Sequence, residues 1–350
     1  MTEEHIIDEK IVEFIRSRVL KYCPKVKKVK TFEHQVTRNE FFNVYFFYIN
    51  SPKKPVLEVK TACLDFGKDY LQTEFHNITQ LKKLSDFPQD SIQSPLEMFE
   101  IENYMGITLS YLSGNDVTEL TDRVLSDSII PWLISFHKNS RCDNAKPEEL
   151  IENMVAYHRL FFQMELKSRK YVEKMISYFS RDEGCPIYFK HDDFNIENLL
   201  INGKKLRVKN FYYPMFQKLP MGELFFLYDR YYKRKKGRGL EKVFSFFGSS
   251  DNAFSIDRHF LELVDPYINA LEINKASINY LYFIHWIDYA NNICSELIRM
   301  TPEYHHLLVE VPNFTQREKQ EFWRKMSLLH PGALEMTGGT PAIIKDFFKD

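Results

Sequence analysis

The chain has 350 residues, of which 44% are hydrophobic, 15% aromatic and 27% charged, and its net charge is −1. That length is too great for one small core and leads to the expectation of two lobes. The balanced charge excludes a global attraction to nucleic acid or to an anionic membrane, so any electrostatic recognition has to be local.

In chain order, Ile7, Ile11, Phe14, Ile15 and Val19 recur at helical spacing until Pro24, which predicts an opening helix. From Val26 to Ile49 the composition turns β-branched and aromatic, and Phe41–Tyr48 is apolar on both faces, as in a buried strand. A turn at Ser51-Pro52 precedes a third strand over Val56–Ala62. Leu71, Phe75, Ile78 and Leu81 then share one helical face, with Glu74 beside it, and Met98–Tyr104 reads as a strand ending near Gly106.

Further on, Asn202-Gly203 separates the apolar runs Leu199–Ile201 and Leu206–Val208, which predicts a two-residue hairpin. The residues from His191 to Asn198 therefore form a loop leading into a rigid hairpin, a setting that displays functional side chains. Lys233 to Arg238 is a dense basic run, read as a solvated loop with binding of a phosphorylated or otherwise acidic substrate, or of nucleic acid, as the alternative. Segments over Ser255–Leu271, Lys275–Arg299 and Thr315–Leu329 are predicted helices, with Trp286 and Trp323 in the core and Asp257, His285 and Asp288 as polar residues among which spacing does not select.

No run reaches the roughly 18 apolar residues of a membrane span; even Tyr280–Trp286 carries His285 and soon meets Asp288. The five cysteines form no C-x-x-C pair and read as reduced thiols. The acidic, amphipathic start is unlike a secretory signal. A cytoplasmic protein is the resulting expectation.

His191-x-Asp193 followed four residues later by Asn198 resembles the catalytic loop of the protein-kinase-like superfamily. The His-first form with Leu199-Leu200 after the Asn is most similar to the aminoglycoside phosphotransferase and choline kinase branch. The resemblance implies an α+β, two-lobed kinase-like fold, with a nucleotide-binding N-terminal lobe over residues 1–105 and a largely helical C-terminal lobe over 106–350. It also implies ATP and Mg²⁺ as cofactors and a small hydroxyl-bearing substrate, with no membrane or nucleic-acid partner.

By the same resemblance, Asp193 is the base that accepts the proton of the attacking hydroxyl, with His191 in the same catalytic loop, and Asn198 and Asn210 are the magnesium ligands. Lys60 on the third strand and Glu74 on the following helix would position the phosphates. Glu102 to Leu109 is similar to the run that links the two lobes of such enzymes, which makes Glu102 and Tyr104 candidates for adenine contact. Ile134–His137 resembles the end of the first large-lobe helix.

The sequence departs from this pattern in three places. Asn210 stands where an Asp is expected, and magnesium prefers charged oxygen ligands. The first hairpin, from His34 to Asn43, has no glycine to let backbone N–H groups approach a phosphate. Glu58 lies two residues before Lys60, so both point to the same side of the strand, where a base would need an apolar surface. These departures define the alternative to an active phosphotransferase, a pseudokinase that binds a ligand or a protein partner without phosphoryl transfer. A third reading, an unrelated α+β binding protein, requires that Lys60, Glu74 and Asp193 do not converge.

Overall fold

The structure, a computed structural model, describes residues 3–38, 42–142, 146–161, 166–181, 185–191, 193–211, 217–232, 256–308, 310 and 312–329. The basic run Lys233 to Arg238 and the tip of the first hairpin loop lie outside them. In chain order the elements are α1 (Glu3–Tyr22), β1 (Phe32–Arg38), β2 (Asn43–Ile49), β3 (Leu57–Ala62), α2 (Asp65–Leu81), β4 (Pro95–Ile101), β5 (Tyr104–Ser110) and β6 (Asn115–Asp116). They continue with α3 (Asp122–Val124), α4 (Ile130–Asn139), α5 (Pro147–Phe161), α6 (Leu166–Phe179), β7 (Tyr188–Phe189), β8 (Leu199–Asn202), β9 (Lys205–Val208) and β10 (Gln217–Lys218). The last are α7 (Gly222–Leu227), α8 (Arg258–Ala270), α9 (Ile278–Arg299) and α10 (Gln316–Leu329).

The chain divides into two compact units, the first made of residues 1–118, 127–139 and 191–216, the second of 119–126, 140–190 and 217–350. The boundary expected after residue 105 falls inside β5. The loop and hairpin from His191 onward, expected in the second lobe, belong to the first unit, where Val208 pairs with Ile92.

The first unit is built on an antiparallel sheet of order β1-β2-β3-β5-β4. The predicted stripe of α1 is buried, with Ile11 and Ile15 fully enclosed, and it shares one core cluster with Tyr45, Phe47, Val59 and Phe99. Asp8 of α1 accepts a hydrogen bond from Tyr45 at 2.5 Å and pairs with Arg38, fastening the helix to the sheet. All six residues of β3 are buried, as its central place requires.

β2 differs from the strand expected. Tyr45, Phe47 and Ile49 are buried, whereas Val44, Phe46 and Tyr48 are half-exposed, because Val44 and Phe46 look into a cavity. The strand expected over Met98–Tyr104 is in fact two, β4 and β5, joined by a tight turn at Glu102-Asn103, with Glu102 at φ +54°. No glycine marks that turn, so the apolar run reads straight through it. Gly106 has a packing reason: it faces Phe99 across the ladder, and a Cβ there would lie 2.3 Å from the ring.

The second sheet of this unit has the order β6-β8-β9. Its hairpin turns at Gly203-Lys204, one residue later than expected, because Asn202 still pairs with Lys205. Gly203, at φ +67°, supplies the left-handed conformation.

The second unit is mainly helical, and the predicted C-terminal helices appear as α8, α9 and α10. Trp323 of α10 is buried beside Phe161, Cys294 and Leu297, and its indole N–H donates to the Phe161 carbonyl at 2.8 Å. Among the described residues no helix is long and apolar enough to cross a membrane.

Two buried histidines in this unit make stability depend on pH. His158, 3.1 Å from the amide oxygen of Asn291, is held down to about 4 by burial. His285 is held down to about 3, by burial and then by the neighbouring Lys190. The unfolded chain takes up these protons near the ordinary 6.5 while the fold refuses them until pH 3–4, so stability falls as pH drops through that window. At pH 5 the loss is about 2 kcal/mol for each histidine. We expect the unfolding midpoint to fall between pH 7 and pH 5, and His158→Gln to flatten that slope; an equal slope in the variant would show that His158 does not contribute.

Candidate functional site

The central strand β3 carries Lys60 into the first unit with a side chain only 4% exposed. Its ammonium nitrogen lies 2.7 and 2.9 Å from the two oxygens of Glu74, which α2 presents fully buried, and 2.8 Å from Oδ1 of Asn210. Those three acceptors match the three protons of an ammonium group. Asn210 follows β9 at φ +62°, a conformation Asn tolerates better than most side chains.

From Asn210 the hydrogen bonds continue toward the loop. Its Nδ2 donates to Oδ1 of Asn198 at 2.6 Å, and Nδ2 of Asn198 donates to Oδ2 of Asp193 at 2.6 Å and to the Asp193 carbonyl at 2.9 Å. The direction of this chain is fixed at both ends, since Lys60 can only donate and an ionised Asp193 can only accept. Asn195 donates to the other oxygen of Asp193 at 2.6 Å, while its own side-chain oxygen caps the turn over Ile196–Asn198. Lys60, Glu74, Asn210, Asn198 and Asp193 thus come together within one unit, which removes the reading of an unrelated binding protein.

His191 is buried and supports the loop from behind. Its Nδ1 accepts from the backbone N–H of Asp193 at 3.3 Å, so Nε2 carries the proton and donates to the Lys209 carbonyl at 3.1 Å. The ring packs edge-on against Phe211, and the neighbouring Phe194 stacks on Trp132 of α4. These contacts make His191 a positioning residue for Asp193.

Beside this network is a cavity of about 340 Å³. Val44, Phe46, Tyr111, Leu112 and Leu200 give it apolar walls, and Glu58, Lys60, Lys209, Asp116 and Asn210 supply polar groups. Glu58 is buried, 3.7 Å from the Lys60 ammonium. Burial pushes its carboxyl upward, and the Lys60 charge opposes that shift without cancelling it.

Glu102 and Tyr104 are not among the residues around the cavity. Glu102 occupies the β4–β5 turn and pairs with Lys10 of α1 on the surface. The segment that reaches the cavity is the one after β5, including Tyr111, Leu112 and Gly114. The resemblance of Glu102 to Leu109 to a linker run concealed this. Lys209 and Leu200 were also missed, although each adjoins a motif residue.

The polar candidates of the second unit have structural partners. Asp257 caps α8 by accepting from the His259 N–H at 2.9 Å. Asp288 is buried between Lys190, at 3.3 Å, and Lys218; burial opposes its charge, but the two ammonium groups hold its carboxyl down at about 2. The space beside Asp288 and His285 is about 20 Å³, room for a water and not for a substrate.

The donor set does not fit magnesium. Asn198 and Asn210 contribute neutral amide oxygens, each already accepting a hydrogen bond from a protein donor, and no carboxylate stands at position 210. Among the described residues no group of three or more His, Cys, Asp or Glu side chains is placed to hold a metal ion.

No protein-family model matches the chain, and no curated protein does. Solved structures do. A putative fructosamine-3-kinase from Haemophilus somnus 129PT is similar at 10% identity, over 96% of this chain and 97% of that one, with a TM-score of 0.51. A macrolide 2'-phosphotransferase from Brachybacterium faecium is similar at 10% identity, over 85% of this chain and 98% of that one, with a TM-score of 0.49. The first likeness extends over nearly the whole of both chains, and the fold is the α+β, protein-kinase-like one expected from the sequence.

Proposed function

We propose that the chain is a phosphotransferase that moves the γ-phosphoryl group of a nucleoside triphosphate, ATP by the resemblance, to a hydroxyl of a small molecule. The observation that supports this reading is the unbroken hydrogen-bond chain from the Lys60–Glu74 pair through Asn210 and Asn198 to Asp193. Positioning and electrostatics supply most of the catalysis in phosphoryl transfer. In this reading the cavity takes the nucleoside, Lys60 faces the phosphates, and Asp193 accepts the proton of the attacking hydroxyl. Two amide donors fix the carboxylate of Asp193 in orientation, so little of its aim has to be found during reaction.

A second reading, a pseudokinase that binds without transfer, is favoured by Asn210 and by the buried Glu58 beside Lys60. Incubation with γ-labelled nucleotide and a panel of hydroxylated small molecules separates the two. Label in an acceptor supports the phosphotransferase; bound nucleotide with no transfer to any acceptor supports the pseudokinase.

Asn210→Asp tests the metal question. The new carboxylate would adjoin Lys60 and supply the charged oxygen that the present set lacks. We expect nucleotide binding by the variant to gain a magnesium dependence of several-fold, measured by calorimetry; no gain, or a loss, would place Asn210 away from any metal.

A further inference from the structure

The fold brings two lysine-bearing segments of the first unit side by side. Lys25, Lys27, Lys28 and Lys30 lie between α1 and β1, and Lys53 and Lys54 lie in the turn between β2 and β3. Asn50, at φ +58°, joins the two segments. Its side-chain oxygen accepts from the backbone N–H groups of Lys30 and Thr31, at 2.6 and 3.3 Å, and its side-chain amide donates to the Lys28 carbonyl at 2.8 Å. Val26, Val29 and Val56 pack against the core cluster that α1 shares with the sheet, which turns the interleaved lysines outward. All six lysines are exposed, and among the described residues none of their ammonium groups has an ion-pair partner. No acidic residue occurs over 20–32 or 49–57. In a chain of net charge −1 this is a local concentration of positive charge, whose mutual repulsion lowers stability until something anionic covers it.

We infer that this patch docks the protein on an anionic membrane surface, one that presents phosphatidylserine or a similar acidic headgroup. The inference is independent of the proposed reaction, and it departs from the expectation of no membrane partner. It requires a peripheral contact and no helix that crosses the bilayer. Three features favour a bilayer over nucleic acid. The cations form two adjacent strips, which match a plane of headgroups better than the single row of phosphates along a strand. All six are lysines, point charges suited to diffuse attraction, with no arginine fork for bidentate pairing to a phosphate or a base edge. Neither segment has an aromatic side chain on which a base could stack. Clusters of four to eight basic residues are an electrostatic handle for acidic lipids, each lysine near the surface strengthening binding by roughly fivefold.

Sedimentation of the full chain with vesicles of phosphatidylcholine, or of phosphatidylcholine and phosphatidylserine at roughly seven to three, tests the assignment. The wild type should bind the acidic vesicles more tightly by about tenfold or more, and the difference should vanish as salt rises to about 0.5 M. Lys27→Glu/Lys28→Glu/Lys53→Glu/Lys54→Glu should bind both kinds of vesicle alike. Its unfolding midpoint should be no lower than that of the wild type, because no ion pair is lost. Lys235→Gln/Lys236→Gln, in the other basic run, should bind as the wild type does. Equal binding of the wild type to both vesicles, acidic-vesicle binding that survives the fourfold variant, or its loss in Lys235→Gln/Lys236→Gln overturns the assignment. Retention of a duplex DNA fragment in place of vesicles, abolished by the fourfold variant, also overturns it and makes the patch a nucleic-acid contact.

Discussion

Asp193→Ala is expected to lower phosphoryl-transfer turnover by about a thousandfold while leaving nucleotide affinity within a few-fold of the wild type. A positioned general base contributes roughly 10²–10⁴ in rate. Because the proton moves only in the transition state, its loss acts on kcat and not on nucleotide binding. The carboxylate also accepts hydrogen bonds from Asn195 and Asn198, so alanine frees two amide donors. Asn195 is half-exposed, where water can replace the lost acceptor, whereas Asn198 is buried and keeps only the Asp193 carbonyl at 2.9 Å, so the cost to stability should be about 1–3 kcal/mol. Steady-state kinetics beside denaturant unfolding measure the two effects separately. Retained turnover in the variant would remove Asp193 as the base.

Lys60→Met is expected to produce the largest loss of stability. Glu74 is fully buried, and its two oxygens rely on the Lys60 ammonium at 2.7 and 2.9 Å. Removing one partner of a buried pair leaves an uncompensated charge at a cost of about 3–5 kcal/mol. In a chain of this size that corresponds to a fall of roughly 4–7 °C in Tm. The double variant Lys60→Met/Glu74→Leu should recover most of the loss, since apolar side chains of similar volume replace a buried pair at little net cost. It should not recover nucleotide binding. If single and double variants unfold alike, Glu74 does not depend on Lys60.

Much of this site was legible in the sequence because its residues sit on regular elements or in a loop of fixed spacing. Alternation along β3 places Glu58 and Lys60 on one face, and both line the cavity. The helical stripe of α2 brought Glu74 to the same core, and the loop spacing joined Asp193 to Asn198. The misses have physical causes. Glu102-Asn103 turns the chain without glycine or proline, so β4 and β5 merged into one apolar run, and the cavity-lining segment at Tyr111 was assigned to Glu102 instead. The open face of β2 looked like core because aromatic side chains serve a ligand cavity as well as a packed interior. The closing role of Asn210 was hidden for another reason: a substitution read as the loss of a metal ligand is also a gain, since an amide, unlike an ionised carboxylate, can accept from Lys60 and donate to Asn198 at once.

The central claim is that the cavity beside Lys60 binds a nucleotide. Thermal unfolding of the purified chain with ATP and with GTP, each with and without magnesium, tests it most directly, because a ligand of the native state alone raises stability by mass action. At a hundredfold excess over Kd the gain is about 2.7 kcal/mol, a shift of several degrees. We predict such a rise in the wild type without a requirement for magnesium, and none in Lys60→Met/Glu74→Leu. No rise with either nucleotide at saturating concentration would contradict the account.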